Sequence, residues 1–243
     1  MLAIIGGSGL DRLGNMETLR RDAARTPYGE PSAALTFGRI AGAEVVFLAR
    51  HGDAHTIAPH RVNYRANLWA LKEAGASAVV SVATVGGIRA DLGPGALLVP
   101  HQIIDYTWGR ASTFHDDAAV MHGDFTQPYS GALRARLLDA AARCGERVAQ
   151  RGVYAATQGP RLETAAEIDR LERDGADVVG MTAMPEAALA REISLEYAAI
   201  AVVANYAAGR AESAHAIALE RIDAVIGEAM ARVRRIIEEA CRQ

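Results

Sequence analysis

Short apolar runs that end on small or polar residues recur along this chain, and that recurrence constrains its fold more tightly than anything else in the sequence. The runs occupy residues 2–5, 44–49, 78–82, 152–156, 177–179 and 197–204. They are too short for helices and have the length of buried strands. Between them lie stretches with helical spacing, at 61–75, 131–144, 164–173 and 215–242. Strands interleaved with helices predict an α/β fold. A Gly-containing turn joins 33–37 to 44–49 as a hairpin, a small-residue turn is expected at 83–87, and 96–99 reads as a further strand. Residues 105–130 are irregular, and a loop that long inside a domain is usually functional or covers a partner. No repeat, linker or low-complexity segment interrupts the 243 residues, which read as one domain.

Half the residues are hydrophobic and only 5% aromatic, so the core is mostly Ala, Val, Leu and Ile. The formal net charge is −3 and no long basic run occurs, which argues against a nucleic-acid surface. Cys144 and Cys241 both fall in helical stretches and suggest no disulfide framework. The chain opens directly on an apolar run and Gly6-Gly7-Ser8-Gly9, with no basic leader or cleavage signal, and no apolar span reaches bilayer length. A cytoplasmic protein with no membrane partner is the expectation.

The residues that close the runs carry the chemistry. Ser8, Arg50, Thr84, Glu163, Thr182 and Asn205 each follow an apolar run. Strands of one sheet ending on the same side would gather them where open α/β sheets hold their ligands. Gly6-Gly7-Ser8-Gly9 either lets backbone N–H groups approach an anion or is a simple tight turn. It lacks the lysine of a Walker loop and the spacing of a dinucleotide fingerprint. Arg50, His51 and His55 suit an oxyanion, because a guanidinium grips phosphate with a bidentate fork. His51, His55 and His60 could instead ligate a metal or be solvated loop residues. In Thr157-Gln158-Gly159-Pro160-Arg161-Leu162-Glu163, the Gly-Pro turn sets Leu162 and Glu163 at a strand end. There they could hold a flat heterocycle by face and edge, or Glu163 could simply favour the positive end of the following helix.

Taken together and in order, Gly6-Gly7-Ser8-Gly9, Arg50-His51-Gly52 with His55, residues 62–67, Gly159-Pro160-Arg161 and residues 180–186 resemble the trimeric purine nucleoside phosphorylase and methylthioadenosine phosphorylase family. The resemblance runs over nearly the whole chain. It implies a single-domain mixed β-sheet flanked by helices, a homotrimer, and reversible cleavage of a purine nucleoside by inorganic phosphate, with no metal or other cofactor. By the same resemblance, Ser8, Arg50, His51, Thr84 and Thr182 bind phosphate. His55 lies near phosphate and ribose, and Met181 lies against the sugar. Leu162 replaces an aromatic that stacks on the base, Glu163 and Asn205 meet the base edge, and His122 serves a neighbouring subunit's pocket.

Hydrogen-bond arithmetic then narrows the base. Methylthioadenosine enzymes of the family carry Ser in place of Glu163 and Asp in place of Asn205 and Ala207. An ionised Glu163 repels the lone pair at N1 of adenine but accepts the N1–H of a 6-oxopurine, and the Asn205 amide can donate to O6 or N7. At the other end, the place of a histidine that bonds the 5′-hydroxyl falls on Leu219, with Ile222 one turn on. These two either pack the helix or form an apolar pocket for a 5′-methylthio group. The expected substrate is 5′-methylthioinosine. A general inosine/guanosine or methylthioadenosine phosphorylase, a metal-dependent hydrolase and a non-catalytic purine-binding protein are the alternatives.

Overall fold

Alternation within the strands splits the interior into two faces. Along the first strand, Leu2 and Ile4 join one apolar cluster while Ala3 and Ile5 join the other. The computed structural model describes residues 1–10, 13–116 and 122–242. Its strands are β1 (Leu2–Gly6), β2 (Glu17–Asp22), β3 (Leu35–Ile40), β4 (Ala43–Ala49), β5 (Ala78–Gly87), β6 (Leu97–Leu98), β7 (Gln102–Asp105), β8 (Val153–Ala156), β9 (Val178–Gly180) and β10 (Glu196–Tyr206). Its helices are α1 (Tyr64–Glu73), α2 (Gly131–Arg143), α3 (Ala165–Arg173), α4 (Ala183–Glu192) and α5 (Leu219–Cys241). Helices α2 and α5 cover one face of the sheet through Leu137, Met230 and Val233, and α1 and α4 cover the other through Leu68, Leu71 and Leu189.

The ten strands form one mixed sheet in the order β2-β3-β4-β1-β5-β9-β8-β7, with β10 on β5 and β6 on β10. β3 and β4 make the expected hairpin. β2 carries no apolar alternation, since all six of its residues are exposed, and charged residues of this kind protect a sheet edge. Neither it nor β7 is among the strands expected from the sequence.

The expected turn at 83–87 is instead strand. β5 continues to Gly87 because β10 pairs with it along its whole length, from Ala78 to Gly87. On its other edge β1 pairs parallel at residues 78–81, and β9 pairs antiparallel at Gly86 and Gly87. Residues 82–85 of that edge lie between the two partners. The strand ends therefore meet from opposite directions over the middle of β5. The expected convergence occurs, but not because the strands all end on one side. The final helix starts at Leu219 rather than 215, with no side-chain cap at Ala218.

Candidate active site

A cleft of about 490 Å³ opens over the stretch of β5 that has a strand partner on one edge only. Ser8, Arg50, His51, His55, Thr84, Leu162, Glu163, Met181, Thr182, Asn205 and Ile222 all line it. Gly7 lets the β1 turn close in, since a Cβ there would sit 2.6 Å from Val82 O and 3.0 Å from Arg50 Nη1.

Arg50 departs from expectation. It is wholly buried, and its fork is spent on the protein: Nε and Nη2 donate to the two oxygens of Glu186 at 2.8 and 3.0 Å. Nη2 also donates to Ser81 Oγ (2.6 Å) and Nη1 to Val82 O (2.9 Å), the carbonyl that the gap in the sheet leaves unpaired. A bidentate grip on phosphate is thus excluded in this arrangement, and one N–H of Nη1 remains for an anion. The reason is electrostatic: a guanidinium removed from water needs a counter-ion, and Glu186 is equally buried. Burial alone would raise the Glu186 carboxyl, but Arg50 beside it, with Tyr197 and Ser81 donating, holds it below the ordinary value of 4.5.

His51 is neutral for related reasons. Burial and the neighbouring Arg50 bring its imidazole down to about 4. Its Nδ1 lies 2.7 Å from Ile57 O, so that nitrogen carries the proton and donates. Nε2 is then an acceptor, suited to a P–OH group rather than a bare oxyanion. Ser8 Oγ is 3.2 Å from His55 Nε2, which links the glycine turn to the histidine segment. Thr182 is buried just ahead of α4; its side chain makes no capping bond and its N–H donates to Tyr154 Oη at 3.4 Å, so the hydroxyl is what it can offer an anion.

The other end of the cleft is more open. Glu163 is not the helix cap. Thr164 caps α3 in a reciprocal box with Glu167, and Glu163 turns inward to accept from Thr157 Oγ1 at 2.6 Å. One carboxylate oxygen is held and the other is left for a ligand. Asn205 Nδ2 donates to Tyr206 O at 2.6 Å, which leaves its second N–H and its oxygen for a base edge. Leu162 is 43% exposed at the rim.

One expectation for the sugar pocket needs revision. Leu219 is 62% exposed and does not line the cleft. It opens α5 facing outward, and the non-helical segment before the helix brings Ile217 to the cleft that Ile222 also lines. The apolar character survives with a different residue. His122 is exposed and away from the cleft of its own chain. His60 does not line the cleft either. Sequence reasoning also missed Glu186 as the partner of Arg50, although an acid inside the apolar run 183–190 was a visible signal. Nothing in the sequence marked Ser81, and Thr157, although it opens the stretch that holds Glu163, carried no expected role of its own.

The model of the phosphorylase superfamily matches residues 1–242. A probable S-methyl-5′-thioinosine phosphorylase of Pseudomonas syringae pv. tomato is 54% identical over 234 residues, covering 96% of this chain and 94% of that one. The 6-oxopurine nucleoside phosphorylase of Pyrococcus furiosus is 46% identical over 215 residues, covering 86% and 80%. Among solved structures, the methylthioadenosine phosphorylase of Schistosoma mansoni in complex with adenine superposes with a TM-score of 0.94 at 32% identity, covering 99% of this chain and 90% of that one. The chain belongs to the phosphorylase superfamily and, within it, to the nucleoside phosphorylases, which are pentosyltransferases.

Proposed function

We propose that the protein cleaves 5′-methylthioinosine with inorganic phosphate, giving hypoxanthine and 5-methylthioribose 1-phosphate. The observation that carries this reading is one cleft lined by a carboxylate, an amide and two isoleucines, Glu163, Asn205, Ile217 and Ile222. Glu163 accepts the N1–H of the 6-oxopurine and Asn205 donates to N7 or O6. Ile217 and Ile222 receive the methylthio group, where a 5′-hydroxyl would find no partner. The name of the Pseudomonas syringae relative supports the same substrate.

In the reaction, a phosphate oxygen held by Ser8, Thr182 and the remaining Arg50 N–H forms a bond to the anomeric carbon. The carbon–N9 bond breaks, its electron pair passes into the purine, and the purine leaves to be protonated. Positive charge grows on the sugar beside the phosphate, and negative charge on the base beside the Asn205 donor. Phosphate is itself the nucleophile, so the scheme is complete without a metal or other cofactor. A cytoplasmic homotrimer, each subunit lending His122 to its neighbour, belongs to the same reading. Sedimentation equilibrium tests the trimer.

A general 6-oxopurine phosphorylase is the second reading, favoured by the Pyrococcus furiosus relative. One assay separates them: 5′-methylthioinosine, inosine and 5′-methylthioadenosine, each with and without phosphate. The expected result is phosphate-dependent release of hypoxanthine with the methylthio nucleoside preferred over inosine by kcat/KM. Equal use of inosine supports the second reading, and preference for methylthioadenosine removes both.

A further inference from the structure

Where β8 and β9 run out, at the last pair Ala156 and Gly180, the sheet leaves carbonyl oxygens without strand partners. The two chains beyond are the walls of the cleft: residues 157–163 carry Leu162 and Glu163, and residues 181–184 carry Met181 and Thr182. Arg110 reaches in from the loop after β7 and occupies the seam between them. Its Nη1 donates to Met181 O (2.8 Å) and Met184 O (2.6 Å), and its Nη2 donates to Thr157 O (3.3 Å) and Gln158 O (2.9 Å). Its Nε donates to Gln158 Oε1 at 3.2 Å. Met184 has non-helical backbone angles (φ −120°, ψ 138°), which frees its carbonyl from the α4 pattern.

Among the described residues no carboxylate pairs with Arg110. Its acceptors are four backbone carbonyls, one side-chain amide and the Tyr64 hydroxyl, 3.4 Å from Nη1. This differs from Arg161 nearby, an exposed partner of Glu167. A planar guanidinium can serve oxygens from two chain segments at once, and a lysine ammonium cannot reproduce that fork. The two walls also meet at the strand ends, where the Thr157 N–H and hydroxyl donate to Gly180 O at 2.8 and 3.3 Å, and at Gly159 (φ +62°), which lies so close to Met181 that a Cβ would meet its sulfur at 2.4 Å. Beyond the strand ends the seam carries a close packing contact and one cation.

We propose that Arg110 is a positioning residue that holds the wall carrying Glu163 in register with the wall carrying Met181 and Thr182. It touches no reacting atom. It fixes the distance between the base edge and the phosphate, and hence the line of attack on the anomeric carbon. The inference rests on the reading of the cleft as the nucleoside phosphorylase site.

The test uses Arg110→Ala and Arg110→Lys in the full chain, with thermal unfolding and steady-state kinetics on the nucleoside the wild type turns over fastest. Misplacing bound groups by about 1 Å costs on the order of 100-fold, so Arg110→Ala should lose about that factor, mainly in kcat. Guanidinium ion at sub-denaturing concentration should restore part of the loss in Arg110→Ala and none in Arg110→Lys. Wild-type kcat in a folded variant overturns the proposal, as does a loss in Arg110→Ala that guanidinium leaves unchanged. If Arg110→Ala does not fold, Arg110→Lys decides: reduced kcat at unchanged Tm supports the role and unchanged kcat overturns it. A wild type that prefers another nucleoside refutes the methylthioinosine reading alone and leaves this test intact.

Discussion

The two ends of the cleft are built to different standards of rigidity. At the phosphate end, Arg50, Glu186 and Ser81 are sealed in the core, and His51 and Thr182 are at most 7% exposed. Each of these residues stands on a strand, at a strand end or at a helix head. At the base end, Glu163 and Asn205 are half-buried and Leu162 is 43% exposed, and two of the three stand on a turn. On the proposed reading, the step shared by a family of reactions is wired into the packed interior, while the choice of base sits on side chains that can change without reopening it. Variants at the base end should move specificity and leave stability alone. Variants at the phosphate end should do the reverse.

The largest effect is expected from Glu163→Ser combined with Asn205→Asp. Sites that match a substrate's hydrogen bonds reject a mismatched analogue by about 10⁴-fold. The ratio of kcat/KM for 5′-methylthioinosine over 5′-methylthioadenosine should fall by a large part of that factor, with Tm nearly unchanged. A retained 6-oxo preference would mean that Glu163 and Asn205 do not read the base.

Next comes Glu186→Gln, which leaves Arg50 charged and buried without its counter-ion. Breaking a buried pair in this way costs about 3–5 kcal/mol, and urea unfolding should show it. The pH dependence has a definite sign. Because the Glu186 carboxyl is depressed in the folded state, its contribution is present above the ordinary value of 4.5 and is lost as pH falls through the lower folded value. The variant should therefore show a flatter acid limb than the wild type. Equal stability of the two proteins at pH 7 would dissolve the contrast between the ends.

The smallest effect belongs to the isoleucines. Replacing Ile222 with Ser should narrow the preference for a methylthio group over a hydroxyl by about 1–3 kcal/mol, the value of small groups in apolar pockets. Competition between 5′-methylthioinosine and inosine measures it. Leu219→Ser serves as the control and should change nothing, since that side chain faces outward.

Much of this site was legible because its residues follow apolar runs, and an apolar run of strand length is a local signal. Ser8, Glu163, Thr182 and Asn205 were found that way, and all line the cleft. Thr84 was found for a partly wrong reason: it lies within β5, which the pairing with β10 prolongs past the apolar run. Leu219 was misplaced because a helical pattern at 215–242 does not reveal where the first turn begins when no capping residue marks it. Arg50 was correctly brought to the cleft, but its partner lies 136 residues away, and no pattern in a single chain announces such a pair. Arg110 escaped notice because its ligands are backbone carbonyls, which every residue has.

By itself the sequence determined the α/β class, the order of most elements, and the chemical character of the two ends of the cleft. These follow from side-chain polarity and periodicity, which are properties of neighbouring residues. Only the tertiary structure decided that strands approach β5 from opposite directions, that the fork of Arg50 faces Glu186, and that one arginine joins the two walls. Those outcomes depend on which edges and charges meet once the chain is packed. Burial makes an unpaired carbonyl or charge costly, so its partner is chosen by distance in space rather than along the chain.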